Sequence, residues 1–177
     1  VYSRYCNKKF RSISDYHYHR SIVIESFSKT YAMTGFRLGY VLSSEAIVKK
    51  IAKLQAFAMT SVAEPLQYCA LNALETDYVT NIEETRIRLR TLVERLKRMD
   101  VSFAVPDGGM YLYPRINTIP LDDITVVNQL LERGVAVAPG SAFGSSYGKF
   151  IRISATQTTE QIAKAMDVLD NCLSMNR

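Results

Sequence analysis

Nothing in the sequence approaches the roughly 18 consecutive apolar residues that a membrane-spanning helix needs, so no such helix is expected. The opening stretch Val1-Tyr2-Ser3-Arg4-Tyr5-Cys6 lacks the apolar run of a secretion signal, and it lacks an initiating methionine. A chain that opens this way reads as the later part of a longer one. Cysteine is scarce: Cys6, Cys69 and Cys172 are odd in number, widely separated and without a C-x-x-C pair. That excludes a disulfide framework, and reduced thiols in a cytoplasmic setting are expected. Internal repeats and low-complexity segments are absent as well.

What is present is enough apolar material for a core. At 177 residues and 47% hydrophobic, the chain suffices for one domain or two small ones. The net charge of +5 raises the question of nucleic acid. The densest basic run, Arg86 to Arg98, alternates with acidic and apolar residues. That pattern is a solvated helix face rather than a phosphate-binding stripe, so no nucleic-acid partner is expected.

Residues 21–25 form a β-branched run that reads as a buried strand, and 36–42 read as a second strand. Between them lies a loop rich in Ser, Thr and Gly. Helical spacing returns at 45–58, where Ile47, Ile51, Leu54 and Ala58 share a face, and another helix fits 62–75. Tyr68 and the methionines read as helix-face core. Residues 77–99 carry the longest periodic stretch: Val79, Ile82, Leu89, Leu92, Val93, Leu96 and Met99 on one face, charges on the other. Short strands at 101–105 and 110–114 flank the Pro106–Gly109 turn, and a helix at 122–132 has acidic residues in its first turn. Strands at 134–138 and 150–155 follow. The last helix opens on Thr158-Thr-Glu-Gln161, a capping box. A domain boundary is expected inside the long helix, with the end of an α/β unit before it and a compact α+β unit after it.

Ser26-Phe-Ser-Lys29 lies just past the end of a predicted strand, where open α/β sheets bind ligands. Its residue types suit a phosphate ester bearing an aldehyde. Ser26 and Ser28 offer hydroxyls, and Arg37 offers a planar guanidinium able to grip phosphate oxygens. Lys29 is able to condense with an aldehyde, which needs the amine in its neutral form. Taken alone, a lysine in a polar loop is ordinarily a solvated surface residue. Arg37 is harder to set aside, because it interrupts an apolar strand and must reach solvent or meet an anion. Further on, Phe150-Ile-Arg-Ile-Ser154 alternates, with Ile151, Ile153 and Ala155 on one side and Phe150, Arg152 and Ser154 on the other. A lone mid-strand arginine pairs either with a structural carboxylate or with an anionic ligand.

The segment Ser26-Phe-Ser-Lys-Thr-Tyr-Ala-Met-Thr-Gly-Phe-Arg-Leu-Gly-Tyr40 resembles the lysine segment of the class I aminotransferases, fold-type I enzymes dependent on pyridoxal 5′-phosphate, and within them the aspartate-aminotransferase-like branch. By that resemblance Lys29 forms the Schiff base with the cofactor and moves the proton between substrate Cα and cofactor C4′. Ser26, Ser28 and Arg37 hold the cofactor phosphate. Tyr2 corresponds to the tyrosine of a D-E-x-Y strand end that hydrogen-bonds the cofactor's phenolic oxygen, and the matching Asp falls before Val1. Arg152 occupies the place of the arginine that clamps the substrate α-carboxylate. Pro106-x-Gly-Gly-Met-Tyr-Leu-Tyr113 matches too, as does Gly134-Val-Ala-Val-Ala-Pro-Gly-Ser-Ala-Phe-Gly144, a loop that in the family closes over substrate.

The resemblance covers nearly the whole chain and implies an α/β fold. Residues 1–76 would be the C-terminal remainder of the large cofactor-binding domain, 77–100 an interdomain helix and 101–177 a compact α+β small domain. It also implies amino-acid and 2-oxo-acid substrates, a homodimer when full length, and no membrane partner. The family's N-terminal half is not matched, so the chain is expected to be inactive alone. Two alternatives share these motifs: a carbon–sulfur lyase or decarboxylase of the same fold, and an aminotransferase-like sensor domain of a transcription regulator. A winged helix-turn-helix in the preceding sequence would mark the regulator. Tyr16-His17-Tyr18-His19 could set two imidazoles on one side of a strand as metal ligands. With no cysteine nearby and only Asp15 beside them, a loop is expected there and no metal.

Overall fold

The structure is a computed structural model and describes residues 2–76, 79–99, 101–116 and 119–176. The chain divides into two compact units, Val1–Ile82 and Glu83–Arg177.

The first unit contains an antiparallel ribbon of β1 (Val23–Ser26) and β2 (Gly39–Leu42), in register from Val23 opposite Leu42 to Ser26 opposite Gly39. Its core gathers Phe27, Met33 and Leu38 from the loop between the strands against Ala70 and Ala73 of α2 (Glu64–Glu75). Tyr31, Val62 and Leu66 pack around them. Pro65 falls in the first turn of α2, where its missing N–H would have had no helical partner.

Three expectations fail in this unit. The β-branched run was expected to be buried, yet Ile24 is 73% exposed. Its side-chain types specify extended backbone, but a two-stranded ribbon need not have both faces covered. The second strand starts three residues late, because Thr34–Phe36 form a 3-10 turn and Arg37 is left-handed at φ 56°. Tyr68 is exposed rather than core. The helix α1 (Glu45–Met59) forms where its period predicts, but Leu54 on its apolar face is 70% exposed and no residue of α1 is buried. Periodicity specifies which residues share a face, not what covers it. Tyr16 to His19 form no strand: a 3-10 turn ends at Tyr16 and His17 is left-handed.

The division between units falls within α3 (Val79–Leu96), after Ile82. Residues 77 and 78 of the predicted long helix lie outside the described residues, and the helix ends at Leu96 rather than 99. Leu89, Leu92, Val93 and Leu96 are buried on one face. On the other, Glu83–Arg86, Glu84–Arg88 and Glu94–Lys97 pair at 3.0, 2.9 and 2.9 Å, so those basic residues are matched within the helix. Three short strands form an antiparallel sheet in the order β3 (Tyr111–Leu112), β5 (Ile151–Ser154), β4 (Ala138–Pro139). The strand expected at 101–105 is reduced to a bridge between Ser102 and Arg115. The one expected at 134–138 pairs only from Ala138 onward. Where its continuation would meet Ile153 and Ser154, a cavity of about 510 Å³ opens, lined by Val135, Val137, Ile162 and Met166.

The helix α4 (Asp123–Glu132) starts one residue later than expected, with Asp122 as its cap, and α5 (Thr159–Met175) opens on the predicted capping box. Asp122 accepts from Thr125 N at 2.7 Å, which holds its carboxyl below the ordinary range. Thr158 and Gln161 form the reciprocal capping box.

Core and surface should separate sharply on α4. Leu130 is fully buried whereas its neighbour Leu131 is 59% exposed. Leu130→Ala should cost about 2–5 kcal/mol in urea denaturation, and Leu131→Ala about 0.5 kcal/mol or less. Equal costs at the two positions would contradict this packing.

Candidate functional site

The first unit places Lys29 in a loop built around one apolar anchor. Phe27 is buried between the half-buried Ser26 and Ser28. Its N–H donates to Leu38 O at 3.1 Å, and its carbonyl accepts from Tyr31 N and Met33 N at 3.3 and 3.4 Å. Tyr31 and Tyr40 flank the Phe27 ring at 5.1 and 5.6 Å. Ser26 Oγ accepts from Ser28 N at 3.1 Å and donates to Leu38 O at 3.5 Å. The loop re-enters β2 at Gly39, where a Cβ would come within 2.7 Å of Glu25 O, so only glycine fits there.

The candidate side chains on this loop differ in how they are engaged. Lys29 is half-buried, and among the described residues its ammonium has no hydrogen-bond or ion-pair partner; the same holds for the Ser28 hydroxyl. Arg37 is exposed, with Nη1 donating to Thr34 O at 3.0 Å and no ion pair among the described residues. It therefore does not stand inside an apolar strand as its sequence context suggested. Its left-handed backbone turns it out of the ribbon. One guanidinium, two serines and one lysine thus share a single closed loop, a donor set able to bind a phosphate ester and present an amine.

Tyr2 precedes a 3-10 turn over Ser3–Tyr5, and its carbonyl accepts from Tyr5 N at 2.9 Å. Its ring meets that of Tyr5 edge-on at 6.1 Å. Tyr5 is buried and its hydroxyl donates to Lys29 O at 3.0 Å. Tyr5, which is not among the candidates read from the sequence, therefore ties the start of the chain to the lysine loop. The one available signal was the Tyr2–Tyr5 spacing, an aromatic pair one turn apart.

In the second unit β5 alternates as predicted: Ile151 and Ile153 are buried, Arg152 and Ser154 half-buried. Arg152 forms no ion pair among the described residues. Instead its guanidinium lies over two rings, Tyr111 at 4.6 Å and Phe143 at 4.5 Å to the ring centroids. Tyr111 comes from β3, whose register sets it opposite Ser154. Phe143 ends a short turn, Gly140–Phe143. Aromatic contacts leave the guanidinium N–H groups, which have no ion-pair partner among the described residues, able to bind a carboxylate. Among the described residues no group of three or more His, Cys, Asp or Glu is arranged to hold a metal, and no helix is long and apolar enough to cross a membrane.

Comparison with known proteins adds a second line. The sequence model of the aminotransferase class I and II family matches residues 2–169. An aspartate aminotransferase of Thermotoga maritima is 36% identical over 169 residues, 94% of this chain and 44% of the relative. An aromatic-amino-acid aminotransferase of Thermococcus litoralis is 35% identical, over 88% of this chain and 42% of the relative. The crystal structure of the Thermotoga maritima aspartate aminotransferase superimposes with a TM-score of 0.90 at 35% identity, covering 98% of this chain and 46% of that one, so the α/β fold is the one seen there. The chain spans less than half the length of these relatives.

The Tyr5 tether makes a prediction of its own. Burial pushes the Tyr5 phenol above its ordinary value of 10.0. The folded chain thus keeps that proton longer than the unfolded one, so this contribution to stability is complete below pH 10 and is lost as pH rises through the elevated value. Tyr5→Phe should cost about 0.5–1.5 kcal/mol at neutral pH and make the loss of stability above pH 10 shallower. Denaturation midpoints between neutral and alkaline pH measure both; an unchanged alkaline slope would contradict the assignment.

Proposed function

The chain belongs to the class I and II aminotransferase family, and we propose from that premise that the protein moves an amino group between an amino acid and a 2-oxo acid, using pyridoxal 5′-phosphate. The observation that carries this reading is the lysine loop. An amine and a serine hydroxyl without partners among the described residues, and an exposed guanidinium, lie on one loop closed by the backbone ties around Phe27. That donor set fits the cofactor: a doubly charged phosphate suits Ser26, Ser28 and Arg37, and an aldehyde suits Lys29. Tyr2 would supply a hydroxyl to the ring oxygen, a role taken from the family resemblance.

When bound, pyridoxal phosphate supplies the aldehyde and a protonated ring that takes up electron density from substrate Cα. The protein's part is to bind, orient and move a proton. Arg152 binds the carboxylate common to all amino acids through its N–H groups, while Tyr111 and Phe143 fix their plane. Lys29, once its amine is free, takes the proton from Cα at Nζ and returns it on the other side of the transfer. Arg37 and the serines hold the phosphate and do not move.

In this reading residues 1–76 are the remainder of a large cofactor-binding domain, 77–100 an interdomain helix and 101–177 a small domain. The whole protein works as a cytoplasmic homodimer. The relatives named for aspartate and for aromatic amino acids set the donors to try first.

With the whole protein and 2-oxoglutarate as acceptor, aspartate or an aromatic amino acid should serve as donor. Arg152→Ala should weaken amino-acid binding by about 2–5 kcal/mol with the cofactor retained, the scale for losing one partner of a desolvated charge pair. Arg37→Ala should do the converse, releasing cofactor. Unchanged substrate affinity in Arg152→Ala would remove the clamp role, and absence of transamination with every donor would remove the function.

A further inference from the structure

Asp123 is 2% exposed, a buried carboxylate with no ion pair among the described residues. Charge in that position needs a compensating environment. Asp123 is the first residue of α4, where unpaired helical N–H groups and the helix dipole favour an anion. Its Oδ2 accepts from Ser141 N at 2.7 Å, a short charge-assisted bond. Its own N–H donates to Gly148 O at 3.0 Å. The carboxylate is therefore directed at the turn Gly140–Phe143, eighteen residues further along the chain.

That turn is restrained at its first residue as well. Gly140 N donates to Phe150 O at 2.8 Å, and Gly140 O accepts from the Tyr113 hydroxyl at 3.1 Å. A Cβ on Gly140 would lie 2.6 Å from Phe150 O, so no larger residue fits. Beyond Ser141 the turn is closed by Gly144 N donating to Ser141 O at 3.2 Å, and the side chains of Ala142 and Phe143 are exposed. Phe143, 48% exposed, is one of the two rings that the Arg152 guanidinium lies over. Two side chains therefore restrain this turn near Phe143: Asp123, which accepts from Ser141 N, and Tyr113, whose ring meets that of Phe143 edge-on at 6.1 Å.

We propose that Asp123 is a positioning residue for the carboxylate-binding arginine: by accepting from Ser141 N it fixes the Gly140–Phe143 turn, and through Phe143 it fixes the plane of the Arg152 guanidinium. The proposal rests on the reading of Arg152 as the substrate clamp. Asp123 touches neither substrate nor cofactor. Its contribution is the orientation of the N–H edge that a carboxylate must meet, so its loss affects substrate affinity rather than the proton transfer itself.

The test uses the whole protein with four variants and two readouts: the ring-shifted Arg152 side-chain N–H signal in NMR, and KM against kcat for the amino donor. Asp123→Ala and Ser141→Pro delete the same hydrogen bond from either end. Proline is suited to the first positions of a helical turn, so the second deletion stands if the first variant fails to fold. Each should move the Arg152 signal towards its unshifted position and raise KM about three- to tenfold, the size of a lost cation–π contact at a half-exposed site, with kcat nearly unchanged. Phe143→Leu should give the same two changes, and combining it with Asp123→Ala should add nothing. Asp123→Asn keeps an acceptor for Ser141 N and should retain both the signal and KM. Folded Asp123→Ala or Ser141→Pro with the Arg152 signal and KM of the parent would overturn the proposal, and so would a loss in Asp123→Asn as large as in Asp123→Ala. A failure of the clamp itself looks different: Arg152→Ala would then leave KM unchanged whatever the Asp123 variants do.

Discussion

A backbone N–H or C=O taken out of water must be paired, and both the lysine loop and the Gly140–Phe143 turn are shaped by that requirement. In the lysine loop the paired groups surround Phe27, whose N–H and carbonyl are both bonded across the loop while its ring fills the core of the first unit. Burying the phenylalanine obliges the chain to fold back on itself. Folding back leaves the neighbouring serines and Lys29 half-buried at the rim with donors to offer. In the second unit the Gly140 turn is bonded to Phe150 O, the Tyr113 hydroxyl and Asp123. There too the pairing of a turn's backbone decides where a side chain, Phe143, stands.

Apolar anchors and polar rims divide the work in the same way in each unit. Ile151 and Ile153 are buried, which fixes β5, and the alternation then presents Arg152 over aromatic rings rather than beside a carboxylate. An arginine held by aromatic rings, with no ion-pair partner among the described residues, keeps its N–H donors for an anionic ligand. An arginine in an ion pair has part of that donor set already engaged. The difference between the two, invisible in the sequence, separates a structural arginine from one able to bind an anionic substrate.

The sequence made the local features legible and left the long-range ones obscure. The capping box at Thr158, the acidic cap of α4, the alternation of β5 and the charged face of α3 depend on residues within a few positions of each other, and all stand where their patterns put them. The lysine loop was legible because its residues are contiguous from Ser26 to Arg37. Arg37's exposure was not, because a left-handed φ at a non-glycine residue carries no composition signal. Ile24 and Tyr68 stand exposed although their patterns read as core, and so does Leu54 on the apolar face of α1, since a pattern fixes a face and not its cover. Tyr5 and Asp123 were missed because their partners, Lys29 and Ser141, are distant in sequence.

The proposed chemistry turns on Lys29 engaging the cofactor aldehyde. Reduction with borohydride of the whole protein loaded with pyridoxal phosphate, followed by peptide mapping, tests this at the residue itself. About one adduct per chain is expected, on the peptide containing Lys29, and none in Lys29→Ala. A stoichiometric adduct on another lysine, with Lys29 unmodified, would contradict it.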